Sequence, residues 1–364
     1  WVMLFRSVVA FFLFNSLLIY SAGPLIYLFA RKMDLTPGMA LLLAVFTMLS
    51  PSLANLNLCV YYGYHDIYLM IPLFILFLMC WERKKITAAL LIMLYSLTIK
   101  ETIAVFWFSI GVAFFFRGER KWGMIIAAIG FFYWILVTKY FIMAVATEQV
   151  NYDYAQRFAY LGNDYWQIAL SPIIKPATFW PMLLRPRCIY FVLLLLTPVF
   201  FVTLCQPVML VGGVVTVAFI CLQNSDQLQN IALQYQTETV ILIYANCVLG
   251  LAWMRQRVPF WGRCLAYGLK TELMPVGVMR AIMAATVITG ISAYYFFGQS
   301  PWGKNIFQHW KWSDYTNIVD EIKNLVPEGV FVSTTYHLGG HFVLRNRVVP
   351  HVFPLQDYVI MELT

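Results

Sequence analysis

The chain has 364 residues, of which 61% are hydrophobic and only 12% are charged. Soluble proteins carry about 25% charged residues, so a water-soluble fold could not bury this much apolar surface, and lipid must cover it. The formal net charge of +8 comes from basic residues between apolar segments. This pattern predicts loops that flank a membrane and argues against a nucleic-acid partner.

Apolar segments predict an all-α polytopic membrane protein with about ten helices. The segments are residues 8–30, 39–54, 67–81, 86–98, 102–116, 122–143, 188–204, 207–222, 238–253 and 281–297. Several are shorter than the roughly 20 residues that a perpendicular span needs. Short helices at membrane depth are expected where they border a protein cavity. We therefore predict a multi-span membrane domain over residues 1–297.

Basic residues fall on alternate loops and predict the orientation. The basic loops contain Arg31, Lys32, Arg83, Lys84, Lys85, Arg117, Arg120, Lys121, Arg255, Arg257, Arg263, Lys270 and Arg280. The short loops 55–66 and 223–237 contain no Lys or Arg. The positive-inside rule places the basic loops on the cytoplasmic side of the membrane, which we expect to be a bacterial inner membrane. The first span then runs inward, so we expect at least one further span before this sequence.

Two longer segments are predicted to lie outside the cytoplasm. Loop 144–187 is polar and rich in aromatic residues, and its prolines predict irregular structure before the next span. It is either an aromatic belt at the lipid surface or a lid over a substrate, in which Arg157 would bind the substrate. The tail, 298–364, predicts a small α/β segment with a helix at 314–325 and strands near 330–334, 342–344, 348–353 and 358–363, separated by turns at 339–340 and 346–347.

Tyr64-His65-Asp66 lies at the outer mouth of the span 67–81. An imidazole and a carboxylate there could act as acid and base, position a hydroxyl group, or coordinate a divalent metal ion. Asp66 could equally be the N-cap of the following helix. The sequence predicts no further cofactor.

Lys100 and Glu101 lie between two apolar segments. Ionisable groups at membrane depth face a partner or a watery cavity. Adjacent residues on a helix point in different directions, which makes a mutual ion pair awkward. We therefore predict that Lys100 binds phosphate, with Glu101 beside it at a substrate site.

Amide side chains are concentrated in residues 223–238, and Gln236 is one of them. Amides suit the hydroxyl groups of sugars, so Gln236 is a candidate substrate ligand; such loops are also ordinary solvated turns.

Short motifs resemble those of a family of bacterial predicted membrane proteins, domain of unknown function 2079. They are residues 57–72, which include Tyr64-His65-Asp66, the run 97–102 around Lys100-Glu101, and residues 117–121, 160–163 and 357–363. This family is grouped with the GT-C glycosyltransferases, which use polyprenyl-phosphate sugars at the outer membrane face. The resemblance implies that Lys100 lies near the lipid phosphate, and that His65 and Asp66 line the cavity.

Two functional hypotheses follow from this resemblance. In the first, the chain is a GT-C-like glycosyltransferase with a polyprenyl-phosphate sugar donor, and Asp66 and His65 are its catalytic residues. In the second, it is a non-catalytic scaffold or accessory subunit of a larger membrane complex. Membrane lipids are expected partners in both.

Overall fold

The computed structural model describes residues 8–58, 65–142, 157–162, 165–223, 228–231, 234–265, 274–298, 303–304, 321–322, 324–334, 347–350 and 358–360. In these residues the chain is mostly helical. The first half contains the helices α1 (Val8–Tyr20), α2 (Ala22–Lys32), α3 (Pro37–Leu49), α4 (Pro51–Ala54), α5 (Met70–Glu82), α6 (Ile86–Leu97), α7 (Glu101–Arg117) and α8 (Arg120–Leu136).

The second half begins with short helices within loop 144–187. It contains α9 (Tyr165–Ile174), α10 (Pro176–Leu183), α11 (Pro186–Leu196), α12 (Pro207–Leu222), α13 (Thr237–Leu265) and α14 (Met274–Phe297). The prediction that prolines leave the end of loop 144–187 irregular was wrong. Pro176 and Pro186 begin helices, because the first helical position needs no N–H donor and favours the fixed proline φ.

The structure confirms helices that can cross a membrane, but fewer of them than the sequence predicted. By length and composition, three helical stretches of the described chain can cross a membrane: Leu13–Lys32, Thr237–Met254 and Arg280–Phe297. A fourth is added if Pro176–Leu183 and Pro186–Val199, bent by 45°, form one broken span. Helices cover the other predicted segments too, but they are shorter, so crossing by all ten remains a prediction.

Helix α13 lies at the centre of the bundle. It packs against α2, α5, α12 and α14, and the side chains of Ile241, Ala245 and Val248 are completely buried. A helix that is apolar on all sides is stable where protein or lipid surrounds it. The first turn of α13 is therefore held inside the protein, which matters for the site described below.

Helices α7 and α8 form a close antiparallel pair. A Cβ atom added to Gly111 would lie 2.3 Å from the backbone nitrogen of Ala127, and one added to Gly123 would lie 2.4 Å from that of Phe115. Glycine lets helix backbones approach in this way. The pair is joined at Gly118, which has φ of 103° and open space around its Cα.

The chain loses regular α-helical structure between α11 and α12. Phe200 and Phe201 have φ of 45° and 57°, and 3-10 turns flank them at Thr197–Val199 and Val202–Cys205. The predicted span 188–204 is therefore helical only in its first part. Asn246 of α13 stabilises this break, because its Nδ2 donates to Thr203 O at 2.8 Å and to Gln206 O at 3.0 Å.

Three short parallel strands lie in the tail: β1 (Phe331–Thr334), β2 (Arg347–Pro350) and β3 (Tyr358–Ile360). Their order is β2-β1-β3, with Val332 opposite Val348 and Tyr358. Arg347 was predicted to lie in a turn but begins β2. The predicted strand 342–344 and most of the predicted helix 314–325 lie outside the described residues.

Candidate functional site

Polar residues from three parts of the sequence meet where α5, α7 and α13 begin. His65 and Asp66 precede α5, Lys100 precedes α7, and Glu238 lies in the first turn of α13. Helix α13 packs against the 3-10 turn Asp66–Leu69. These four residues are called the Lys100 group below.

Lys100 occupies the N-cap position of α7 in an extended conformation, with φ of −158° and ψ of 147°. Its carbonyl oxygen accepts a hydrogen bond from the Ile103 N–H at 3.1 Å, which begins the helix. Among the described residues Lys100 has no direct ion pair, with Glu101 or with any other carboxylate. Its half-buried charge instead acts at longer range on His65 and Glu238.

His65 is half-buried, and its ring makes an edge contact with Tyr68 at a centroid distance of 5.9 Å. Burial lowers the pKa of His65 below its usual value, and the positive charge of Lys100 lowers it further, although Asp66 acts in the opposite direction. The imidazole is therefore neutral near pH 7, and a neutral imidazole can accept a proton.

Asp66 is exposed and begins the 3-10 turn Asp66–Leu69. The interpretation of Asp66 as an N-cap was wrong, since His65 occupies that position and no side chain caps the turn. Asp66 lies in the first turn instead, where a carboxylate interacts favourably with the helix dipole. Its carboxylate remains accessible from solution.

Glu238 is the site residue that sequence reasoning did not single out. It is only 4% exposed, and its neighbours Gln236, Thr237 and Thr239 are buried with it. The carboxyl group interacts with its own backbone N–H and with the charge of Lys100. A carboxyl group this deeply buried is costly unless charges or hydrogen bonds compensate it. The feature of the sequence that could have identified Glu238 is an acidic residue at the start of an apolar segment.

Gln236 is the last residue of the 3-10 turn Gln234–Gln236, which precedes α13, and it is completely buried. Its Nε2 donates to Asn230 O at 3.2 Å, and its Oε1 has no hydrogen-bond partner in the described part of the chain. The alternative of an ordinary solvated turn is therefore wrong for Gln236. Its role as a substrate ligand stays a prediction.

Arg157 is exposed and attached to the end of α12, where its Nη1 donates to Gln223 Oε1 at 3.0 Å. Beside it, the Tyr160 hydroxyl donates to Leu222 O at 2.5 Å and Arg185 Nη2 donates to Cys221 O at 2.9 Å. These donors satisfy the last carbonyl groups of α12. The structure thus gives Arg157 a structural contact, and its role in substrate binding stays untested.

Glu101 is half-buried in the first turn of α7, beside the Lys100 backbone. Within the described ranges, no three His, Cys, Asp or Glu side chains are arranged to hold a metal ion. The Lys100 group therefore offers one cation, one imidazole and two carboxyl groups for proton transfer and anion binding.

A family profile described as "Predicted membrane protein (DUF2079)" matches residues 1–363. The chain belongs to this family. No curated protein and no solved structure matches the chain. Membership confirms the predicted family, and it confirms that this is a membrane protein. The family description assigns no activity.

Proposed function

We propose that the protein is a membrane glycosyltransferase that moves a sugar from a polyprenyl-phosphate donor to an acceptor hydroxyl group. The observation that supports this proposal is the grouping of Lys100 with a neutral imidazole and two carboxyl groups at one end of a helical membrane protein. An anionic leaving group needs a cation, and an acceptor hydroxyl group needs a base.

The reaction requires one bond to form and one to break. The acceptor oxygen attacks the anomeric carbon of the sugar while the bond from that carbon to the phosphate oxygen breaks. The electron pair leaves with the phosphate, whose additional negative charge Lys100 stabilises. The acceptor proton passes to Asp66, directly or through the neutral imidazole of His65.

The remaining predicted residues have supporting roles in this proposal. Glu101 and the Oε1 of Gln236, which has no hydrogen-bond partner among the described residues, are acceptors for sugar hydroxyl groups. The buried Glu238 attracts the Lys100 ammonium group through a longer-range charge interaction. Arg157 anchors the segment 157–162 to α12, from which it can bind the donor phosphate.

The same proposal places the Lys100 group at the outer face of a bacterial inner membrane. All ten apolar segments then lie in the membrane, and loop 144–187 and the tail 298–364 lie outside. The alternation of basic loops supports this orientation. Cysteine labelling at Ser300 tests it in a cysteine-free background; labelling from the cytoplasmic side alone would reverse the orientation.

The activity is tested with the full chain in membranes and a panel of polyprenyl-phosphate sugars. Lys100→Gln should lower transfer by about 100-fold or more, in line with the loss of one transition-state-stabilising group. Lys175→Gln is the matched control, because Lys175 is an exposed cation before α10, and it should transfer normally. If the wild type transfers none of the sugars, the protein is better explained as an accessory subunit.

Asp66→Asn tests the proposed base. Transfer should fall by roughly 100-fold or more, because the amide cannot take up a proton, whereas membrane yield should not change. Asp34→Asn is the control, since Asp34 is an exposed acid in the turn after α2. Normal transfer by the Asp66 variant would remove Asp66 from the mechanism.

A further inference from the structure

Basic residues also cluster at the C-terminal ends of α2 and α5. The Lys100 group lies elsewhere, at the N-terminal end of α5. Lys32 ends α2, and Arg83 and Lys85 follow α5. The two helices pack together, and the charges of Arg83 and Lys85 act on Lys32. Three positive charges thus lie within electrostatic range of one another, an arrangement that an anion bound among them would stabilise.

The fold itself imposes this arrangement. Each helix is followed, two residues after its end, by a residue with left-handed backbone conformation: Asp34 with φ of 61° and Lys84 with φ of 60°. The Leu35 N–H donates to Ala30 O, and the Lys85 N–H donates to Cys80 O, at 3.1 and 2.9 Å. These bonds fix both turns, so the basic side chains emerge from rigid backbone.

Two carboxylates at this end, those of Glu82 and Glu119, are committed to other partners, whereas Asp34 is exposed in the turn after α2. Glu82 forms an ion pair with Arg117 at 2.7 Å, and Glu119 Oε2 accepts a hydrogen bond from Trp81 Nε1 at 2.6 Å. Neither is therefore positioned to neutralise the cluster. The partial negative charges at these helix C-termini favour cations, but they offset only a fraction of the positive charge of the three basic side chains.

An exposed apolar face leads to the cluster along α1 and α2. Leu13, Leu17 and Leu28 are 66%, 67% and 48% exposed, whereas Ile26 and Phe29 on the other face are buried. These leucines belong to a stretch long enough to cross a membrane, Leu13–Lys32. The face is therefore continuous from the membrane interior to the positive charges.

We propose that Lys32, Arg83 and Lys85 form a binding site for the headgroup of an anionic phospholipid, whose acyl chains lie along the exposed face of α1 and α2. The phosphate supplies the missing negative charge, and the leucines supply the apolar contact. The site depends neither on the proposed activity nor on which side of the membrane it faces.

Native mass spectrometry of the full chain tests the site after extraction from nanodiscs that contain equal amounts of phosphatidylglycerol and phosphatidylcholine. Wild-type protein should retain phosphatidylglycerol in preference to phosphatidylcholine. The double variant Lys32→Gln/Lys85→Gln should retain roughly 25-fold less, given about fivefold for each basic residue near a membrane surface.

The matched control is Arg120→Gln/Lys121→Gln, which removes two charges from the start of α8 and should retain the lipid. Equal loss in the control, or equal retention of both lipids by the wild type, would overturn the proposal. The effect of salt can be measured on the wild-type protein. Retention of phosphatidylglycerol should fall as ionic strength rises, because exposed charges are screened. Retention that does not change with salt would also overturn it.

Discussion

The positive charge of Lys100 at the start of α7 acts on the buried carboxyl group of Glu238 at the start of α13. The two residues come from distant parts of the sequence, and their helices bring them to the same end of the bundle. The two groups interact over a distance, since they form no direct ion pair in the part of the chain that the structure describes. We expect this interaction to influence where the Lys100 ammonium group lies.

Glu238→Gln should lower glycosyl transfer by about tenfold or more while leaving the protein folded. The amide has the same shape but carries no charge, so Lys100 loses an interaction that orients it. Rates are measured with the full chain at varied donor concentration, and thermal unfolding in detergent reports the fold. Glu321→Gln, at an exposed residue of the tail, is the control and should change neither quantity. Unaltered transfer by Glu238→Gln would show that Glu238 is structural only.

Folding stability should depend on pH through His65. The pKa of His65 is lower in the folded protein than the usual 6.5, so the unfolded chain binds the proton more tightly. The contribution of His65 is therefore fully present above pH 6.5 and is lost as pH falls through the folded pKa. Thermal unfolding measured across this range should show a steeper acid-side loss for the wild type than for His65→Asn. Parallel curves would contradict the direction of the shift.

Asn246→Ala should destabilise the protein by about 3 kcal/mol, because buried carbonyl groups near the α11–α12 break lose their donor. Thermal unfolding in detergent measures this effect. Thr289→Val is a suitable control, since the Thr289 hydroxyl bonds only to carbonyl groups of its own helix, with Ala285 O at 2.9 Å. A control loss as large as that of Asn246→Ala would mean that the break needs no support from α13.

Gly123→Ala should destabilise the protein by about 2 kcal/mol, because the added methyl group would collide with the α7 backbone. The same substitution at Gly38 is the control, since nothing lies within 4 Å of a Cβ added there. Gly38→Ala should leave stability the same or slightly higher, as alanine favours helix more than glycine. Equal effects at both positions, measured by thermal unfolding, would refute the close packing of α7 and α8.

Local sequence features predicted the helices and most members of the Lys100 group. Lys100 was recognisable as a charge between apolar segments, and His65-Asp66 as polar residues at the start of another. Glu238 was not singled out, because hydropathy does not reveal which helix start packs against which. For the same reason the irregular backbone at Phe200 and Phe201 was missed. Its partner, Asn246, lies on a helix much later in the chain.

The tail shows the opposite case, in which strands were predictable and their pairing was not. The sequence indicated extended segments near β1, β2 and β3, but alternation of residue types does not distinguish parallel from antiparallel neighbours. Only turns at 339–340 and 346–347 were expected between them. Parallel pairing instead requires connections that return along the sheet.

Gly118 joins the close pair α7 and α8 by a turn that extends into open space. Because the two helices are held by backbone contact along their length, the turn can grow without separating them. Position 118 is therefore a suitable insertion point for an epitope or a reporter domain. A reporter there would show on which side of the membrane the turn lies, in a protein whose Lys100 end has not been altered.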